Sequence, residues 1–184
     1  MIFSAATFVS VLAAAATLVS GASVKRQGVD NGSCAQLENI CSNNVASTLQ
    51  NIWAVESCLF AGVCFERNGT TLDDFLRVMW ERKGNSGNPP ASINIPRVPQ
   101  GTFNAISGGP VGGGGSITQQ NYIDGYYHTL DATNGPYPTS SSIVISDFHR
   151  IASWANFCTG GIPYQNFADY FQYSASRPAN FCPT

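Results

Sequence analysis

Six cysteines constrain this chain more than any other feature of its sequence. Four of them lie between residues 34 and 64, and the other two stand near the carboxyl end. They are Cys34, Cys41, Cys58, Cys64, Cys158 and Cys182. In an oxidising compartment, an even number of cysteines favours a complete set of disulfides. The sequence leaves the pairing open, but proximity favours two bridges within the first four cysteines and a third from Cys158 to Cys182.

The amino-terminal segment indicates such a compartment. Residues Ile2 to Val19 are almost all apolar or small, and Ser20-Gly21-Ala22 supplies the small residues that signal-peptide cleavage sites contain. We therefore interpret residues 1–22 as a secretory signal peptide. An uncleaved membrane anchor is the alternative, because the apolar run approaches spanning length, but Ala and Ser dilute it and no basic flank precedes it.

A short pro-segment is predicted over residues 23–26. It ends in Lys25-Arg26, a pair that looks like the sites cut by dibasic-specific proteases of the secretory pathway. Cleavage there would leave residues 27–184, a length that suits one domain and is short for two. The mature protein is expected to be secreted and extracellular, without a membrane anchor.

The charge of the mature chain excludes one class of partner. Without the dibasic pair, the nine basic residues fall to seven against 11 acidic residues, for a net charge of −4. A nucleic-acid-binding protein usually carries a basic patch, so nucleic acid is not an expected partner. Only 11% of the residues are charged, so neutral polar groups must cover much of the surface. Asn31 and Asn68 stand in acceptor triplets for N-glycosylation.

Five segments have apolar residues at the three- and four-residue steps of a helix. They are Asn43–Phe60, Leu72–Lys83, Ile117–Leu130, Ser141–Cys158 and Tyr164–Phe171. The chain shows no convincing alternation of apolar and polar residues of the kind that strands have. The predicted fold class is all-α, a single disulfide-stabilised bundle of about five short helices.

The segment Ser141–Cys158 is the clearest of the five. Val144, Phe148 and Ile151 lie on one face together with Ala155 and Cys158, and Trp154 widens this stripe. Polar residues, among them Asp147 and Arg150, are expected on the other faces. The segment is therefore predicted to be a core helix.

Residues 84–120 differ from the helical segments. They contain five prolines and an uninterrupted glycine run from Gly112 to Gly115. The run lacks the Lys-Ser/Thr pair that follows in phosphate-binding loops, so it does not predict a nucleotide site. A long Gly/Pro-rich loop is expected, with a short extended piece at Ile93–Val98, and a loop of this length is a candidate lid or partner contact.

The carboxyl-terminal third shows a resemblance to known proteins. The sequences Tyr122–Asp124, Arg150–Trp154, Gly161–Phe167 and Tyr173-Ser174 follow one another around a proline-marked turn. In this order they resemble small cysteine-containing secreted proteins of mushroom-forming fungi. The resemblance implies a secreted fungal protein, and it implies no particular activity.

Three residues are candidates for catalysis. Asp124 and His128 stand one helical turn apart and could meet as an acid–base pair, and His149 could join them from the next helix. A metal site would need more ligands, and the chain has neither an HExxH nor a CxxC motif. It also lacks the Gly-x-Ser-x-Gly turn of serine hydrolases. No cofactor is expected.

Tyrosines are concentrated in the last third of the chain, between residues 122 and 173. Ile123, Tyr127 and Leu130 form the apolar stripe of their helix, which leaves Tyr122 and Tyr126 at its margin. These two rings are predicted to form an exposed contact face bordered by the glycine-rich loop. Tyrosine suits such a face because its ring is apolar and its tip is polar.

The sequence supports one leading function and two alternatives. A secreted protein that binds an extracellular protein or glycan, as an effector-like or cell-wall-associated module, fits the stapled scaffold and the lack of a complete catalytic set. A secreted hydrolase that uses Asp124, His128 and His149 is the first alternative. A structural wall or surface protein is the second. The sequence does not fix the oligomeric state.

Overall fold

A computed structural model describes residues 31–67, 69–108, 115–157 and 159–177. These residues are mostly helical, and their α-helices are named in chain order. They are α1 (Asn31–Asn44), α2 (Glu56–Glu66), α3 (Leu72–Arg82), α4 (Gln100–Ser107), α5 (Gln119–Asp131), α6 (Ser141–Trp154) and α7 (Tyr164–Tyr173). Two 3-10 turns cover Ile52–Ala54 and Ser92–Asn94, and two short strands are β1 (Ser116–Ile117) and β2 (Ile162–Pro163). The all-α prediction is confirmed as a mostly helical fold with more helices than expected.

Two disulfides join α1 to α2. Cys34 near the start of α1 pairs with Cys64 near the end of α2, and Cys41 pairs with Cys58 near the start of α2. The Cα atoms of the two pairs are 5.9 and 4.7 Å apart. This order requires the helices to run antiparallel. The prediction of two bridges within the first four cysteines is confirmed.

The central helix is α2, which is buried on all sides from Ser57 to Glu66. A helix that is apolar around its whole circumference must be covered by neighbours on every face, and α1, α3, α5 and α6 all contact it. The sequence prediction of one helix over Asn43–Phe60 is wrong. Helix α1 ends at Asn44, and a turn in which Leu49 has a φ of 58° separates it from α2. The prediction missed this break because the helical spacing of apolar residues continues across it.

Helix α3 begins where the sequence predicts and ends one residue earlier, at Arg82. The Thr71 hydroxyl accepts a hydrogen bond from the Asp74 amide, and the Asp74 carboxylate accepts one from the Thr71 amide. This reciprocal capping box satisfies two amide groups that have no partner inside the helix. At the other end, Gly84 has a φ of 76°, a conformation that favours glycine.

The prediction of a long loop over residues 84–120 is wrong in part. The segment contains α4, whose Phe103 and Ile106 are buried, and Ile93 lies in a 3-10 turn rather than an extended piece. Proline does not prevent a helix here, since Pro99 is the residue directly before α4. Residues 109–114, which include most of the glycine run, lie outside the described residues.

The segment is also anchored to α7. Arg97 donates to the Asp169 carboxylate at 2.5 Å, and the Tyr164 hydroxyl donates to the Val98 carbonyl at 2.9 Å. Strand β1 pairs antiparallel with β2, with Ile117 opposite Ile162. These contacts tie the described parts of the segment to α7 and β2, and the side chains of Ile95 and Val98 belong to the core.

Several predictions fall outside the described residues. They are the signal peptide of residues 1–22, the pro-segment of residues 23–26, glycosylation of Asn68 and the bridge from Cys158 to Cys182. Asn31 is the first residue of α1, and its glycosylation stays a prediction. Within the ranges that are described, no helix combines the length and the apolar character that a membrane span needs.

We expect each disulfide between α1 and α2 to stabilise the protein measurably. Replacing Cys41 and Cys58 together by alanine should lower the free energy of unfolding by about 3 kcal/mol, because the unfolded chain loses a covalent restraint. Urea denaturation of the double variant, beside the pair variant at Cys34 and Cys64, would measure this. Equal stability of the wild type and both variants would contradict the stapling role.

Candidate functional site

A surface cavity of about 520 Å³ lies between the end of α2, helix α6 and the end of α7. Its lining combines one aromatic wall, three serine side chains, charged side chains at the mouth and a buried carboxyl group. The lining residues are Glu66, Ser146, His149, Arg150, Ser153, Trp154, Tyr170, Ser174 and Arg177. This volume lies in the range of small-molecule sites in proteins. We refer to it as the Glu66 pocket.

The buried carboxyl group belongs to Glu66, the last residue of α2. Its side chain is only 8% exposed, and the hydroxyl of Tyr170 on α7 donates a hydrogen bond to its Oε2 atom. Burial raises the pKa of Glu66 from 4.5 to about 7, although the Tyr170 hydrogen bond and the charge of Arg150 oppose this shift. The group is therefore largely protonated in mildly acidic solution.

A second buried carboxylate lies close by but is neutralised. Asp147 on α6 is fully buried and receives two hydrogen bonds from Arg67, Nε to Oδ1 at 2.6 Å and Nη2 to Oδ2 at 2.5 Å. Such a bidentate pair fixes both the position and the orientation of the two side chains. It ties the residue after α2 to α6 and so holds the floor of the Glu66 pocket in place. The prediction that Asp147 faces away from the core is wrong.

The mouth of the pocket is cationic. Arg150 and Arg177 line it and are exposed, as is His149. Neither guanidinium forms a salt bridge with a carboxylate in the part of the chain that the structure describes. The Arg177 guanidinium instead lies 4.5 Å from the centre of the Tyr173 ring. Both charges are thus available to a ligand.

Trp154 supplies the aromatic wall. Its ring is half-buried and meets the Tyr170 ring edge-on at a centroid distance of 5.6 Å, and its indole N–H donates to the Arg177 carbonyl at 3.3 Å. The Oγ atom of Ser174, also in the lining, is buried and has no hydrogen-bond partner among the described residues. The prediction that Trp154 only widens the buried stripe of α6 therefore missed its place in the pocket.

The predicted contact face of Tyr122 and Tyr126 is wrong, because both side chains are fully buried. Tyr122 packs against Phe60 with ring centroids 5.0 Å apart, and the Tyr126 hydroxyl lies 3.2 Å from the Ser33 hydroxyl. Burial raises the pKa of both phenols. The sequence placed the centre of the apolar stripe one residue too far along α5, which turns the buried face by about 100°.

The predicted catalytic residues are not gathered in this pocket. His149 lines it, whereas Asp124 and His128 on α5 are exposed and do not. Asp124 accepts a hydrogen bond from Gln120 at 2.7 Å. His128 lies near Glu56, whose pKa burial raises although the interaction with His128 opposes the rise. Among the described residues, no group of three or more His, Cys, Asp or Glu side chains is placed to hold a metal ion.

Sequence reasoning missed Glu66, which is the most distinctive residue of the pocket. A signal was present, since Glu66 ends a run of apolar residues and cysteines that begins at Cys58, where an ionisable side chain is unexpected. Its partner Tyr170 lies in the predicted helical segment Tyr164–Phe171 and is 1% exposed.

The raised pKa of Glu66 makes stability depend on pH. Between its ordinary value of 4.5 and about 7, the folded protein holds a proton that the unfolded chain has released, so raising the pH destabilises the fold. The expected loss is on the order of 3 kcal/mol across this interval. Denaturation over a pH series should show a steeper decline for the wild type than for Glu66→Gln. Parallel curves would contradict the raised pKa.

The order of residues that resembles small secreted fungal proteins includes three pocket residues in the sequence Arg150–Trp154, namely Arg150, Ser153 and Trp154. The family assignment itself stays a prediction. Comparisons of the chain with protein-family models, with curated proteins and with solved structures find no match.

Proposed function

We propose that this chain is a secreted binding protein whose Glu66 pocket takes one or two sugar units of an extracellular glycan. The observation that carries the proposal is the lining of the pocket, in which the Trp154 ring stands beside hydroxyl groups and a carboxyl group. A sugar ring has apolar C–H faces and hydroxyl edges, so it needs an aromatic surface and hydrogen-bonding groups together. The two disulfides suit an extracellular protein.

A glycan fits this site better than a protein partner does. The pocket is concave and small, whereas a stable protein contact usually covers a wide surface with a central apolar cluster. Among the residues that the structure describes, the exposed large apolar side chains are Ile93 and Tyr137, and neither lines the pocket. The extracellular glycan is therefore the partner we propose.

Retention on polysaccharides tests the proposal. The purified mature protein would be incubated with insoluble fungal and plant cell-wall polysaccharides, and the bound fraction measured. We expect Trp154→Ala to lose most of the retention, while Tyr137→Ala, which removes an exposed ring outside the pocket, keeps it. Equal retention of both variants, or no retention of the wild type on any polysaccharide, would contradict the proposal.

A hydrolase is the second candidate, because a carboxyl group with a pKa near 7 has the property of a general acid. In this case Glu66 and His149 would act, since both line the pocket. Analysis of soluble sugars released in the same incubations separates the two candidates. Release that stops in Glu66→Gln would favour the hydrolase, and retention without release favours binding. A structural wall protein would show neither pocket-dependent behaviour.

A further inference from the structure

We propose that the sugar unit bound in the Glu66 pocket carries a carboxylate, as uronic acids do. This inference rests on the proposed function, because it specifies the class of glycan that the same pocket takes. The arrangement of charge in the pocket supports it. Two arginine side chains line the same pocket as the Glu66 carboxyl group, which is buried against Tyr170.

The mouth of the Glu66 pocket carries two arginine side chains. Arg150 and Arg177 are both exposed lining residues without a carboxylate partner in a salt bridge within the described ranges. The planar fork of an arginine matches the two oxygens of a carboxylate. A neutral sugar would leave these two charges without a function, whereas an acidic sugar pairs with them.

The floor of the Glu66 pocket is formed by the buried carboxyl group of Glu66. A negative charge on Glu66 would repel a carboxylate ligand, but burial favours the protonated form. The Tyr170 hydroxyl already donates to Oε2 of Glu66, so the carboxyl proton remains available as a donor to the ligand. In the protonated state, the floor and the mouth therefore both favour an anionic group.

The groups that face Glu66 determine when this state holds. Tyr170 donates to it from α7, Arg150 lowers its pKa from α6, Asp147 raises it from the same helix, and Tyr122 on α5 interacts with it electrostatically. The backbone of Leu72, at the start of α3, also lowers the pKa of Glu66. Asp147 is itself paired with Arg67, and His149 on α6 lines the same pocket, so the contribution of Glu66 is measured in a His149→Gln background.

Calorimetric titration with two matched probes tests the inference. The probes are a short galacturonic-acid oligomer and the same oligomer after reduction of its carboxyl groups to neutral alcohols. We expect the acidic oligomer to bind the wild type about tenfold more tightly than the neutral one in mildly acidic solution. We also expect its affinity to fall by about tenfold when the pH rises from about 5.5 to about 8.5, as Glu66 ionises.

Variants separate the contributions. Glu66→Gln keeps an acceptor for Tyr170 and cannot ionise, so in a His149→Gln background its affinity for the acidic oligomer should not change with pH, whereas the His149→Gln variant alone should keep the pH dependence. Arg150→Met should weaken binding of the acidic oligomer by a larger factor than binding of the neutral one, so the preference for the acidic oligomer should fall. A variant at an arginine outside the pocket, Arg77→Met, should bind both probes as the wild type does.

The outcomes distinguish this inference from the proposed function. If the neutral oligomer binds as tightly as the acidic one, carboxylate recognition is wrong while glycan binding stands. If neither oligomer binds, nor any polysaccharide in the retention experiment, both proposals are wrong. Acidic-oligomer binding that survives Arg150→Met and Arg177→Met together would also overturn the inference.

Discussion

Replacing Arg67 with methionine should lower the free energy of unfolding by about 3 to 5 kcal/mol. The change removes two hydrogen bonds from the Asp147 carboxylate, which is fully buried and cannot turn to water. A buried charge without its counter-charge is among the costliest defects that one substitution can introduce. Urea or thermal denaturation of the variant measures the loss.

Asp147, the other member of the buried pair, provides the control for this prediction. Replacing Arg67 by methionine and Asp147 by leucine together should recover most of the loss, since apolar side chains then replace both charges. Arg77→Met, which breaks the exposed pair with Asp74, should cost less than about 1 kcal/mol. An Arg67→Met variant as stable as Arg77→Met would contradict the buried pairing.

Tyr122→Ala should destabilise the protein by about 3 to 5 kcal/mol, because it deletes a fully buried ring from the core. The ring lies between Phe60 and Phe148, with centroid distances of 5.0 and 5.9 Å. Thermal denaturation of Tyr122→Ala measures this loss. If Tyr122 were part of the exposed contact face that the sequence predicted, the melting temperature would barely change.

Phenylalanine replacements give a finer test at the same two tyrosines. The Tyr122 hydroxyl has no hydrogen-bond partner among the described residues, so Tyr122→Phe should leave stability unchanged or raise it. The Tyr126 hydroxyl lies 3.2 Å from that of Ser33, so Tyr126→Phe should cost about 1 kcal/mol. If Tyr122→Phe proves more costly than Tyr126→Phe, the hydroxyl contacts are assigned incorrectly.

Local signals explain which helices the sequence could predict. Thr71 and Asp74 mark the start of α3, and Ser140 accepts a hydrogen bond from the Ser142 amide at the start of α6, so both beginnings are encoded within a few residues. Helix α7 has an apolar face that repeats clearly in the sequence. These elements were predicted because their evidence is local.

The other elements depend on contacts between distant residues. Helix α1 was missed because its own apolar pattern is weak and two disulfides to α2 hold it in place. Helix α4 is short and surrounded by proline and glycine, and its Phe103 packs on Tyr164 and Phe167 of α7. Tertiary packing overrides local pattern in both cases.

The candidate site was less predictable than the fold for the same reason. Glu66 and Tyr170 are 104 residues apart in sequence, and Arg67 and Asp147 are 80 apart. No spacing rule connects such pairs. Asp124 and His128 were predicted from helical spacing and His149 was added from the next helix, and only His149 lines the pocket.

The central claim, that the Glu66 pocket binds a glycan, can be tested with the three tryptophan side chains as reporters. Each indole N–H of Trp53, Trp80 and Trp154 gives a signal in a nitrogen–proton NMR spectrum. Trp53 is in the core, the Trp80 indole donates to the Ser86 carbonyl, and only Trp154 lines the pocket. Loss of the Trp154 signal in Trp154→Phe would assign it.

Adding the galacturonic-acid oligomer or its neutral counterpart to nitrogen-15-labelled protein should therefore move the Trp154 indole signal progressively with ligand concentration. The Trp53 and Trp80 signals should stay where they are. A bound oligomer that leaves the Trp154 signal unchanged, or that moves the Trp80 signal instead, would show that the binding site lies elsewhere on the protein.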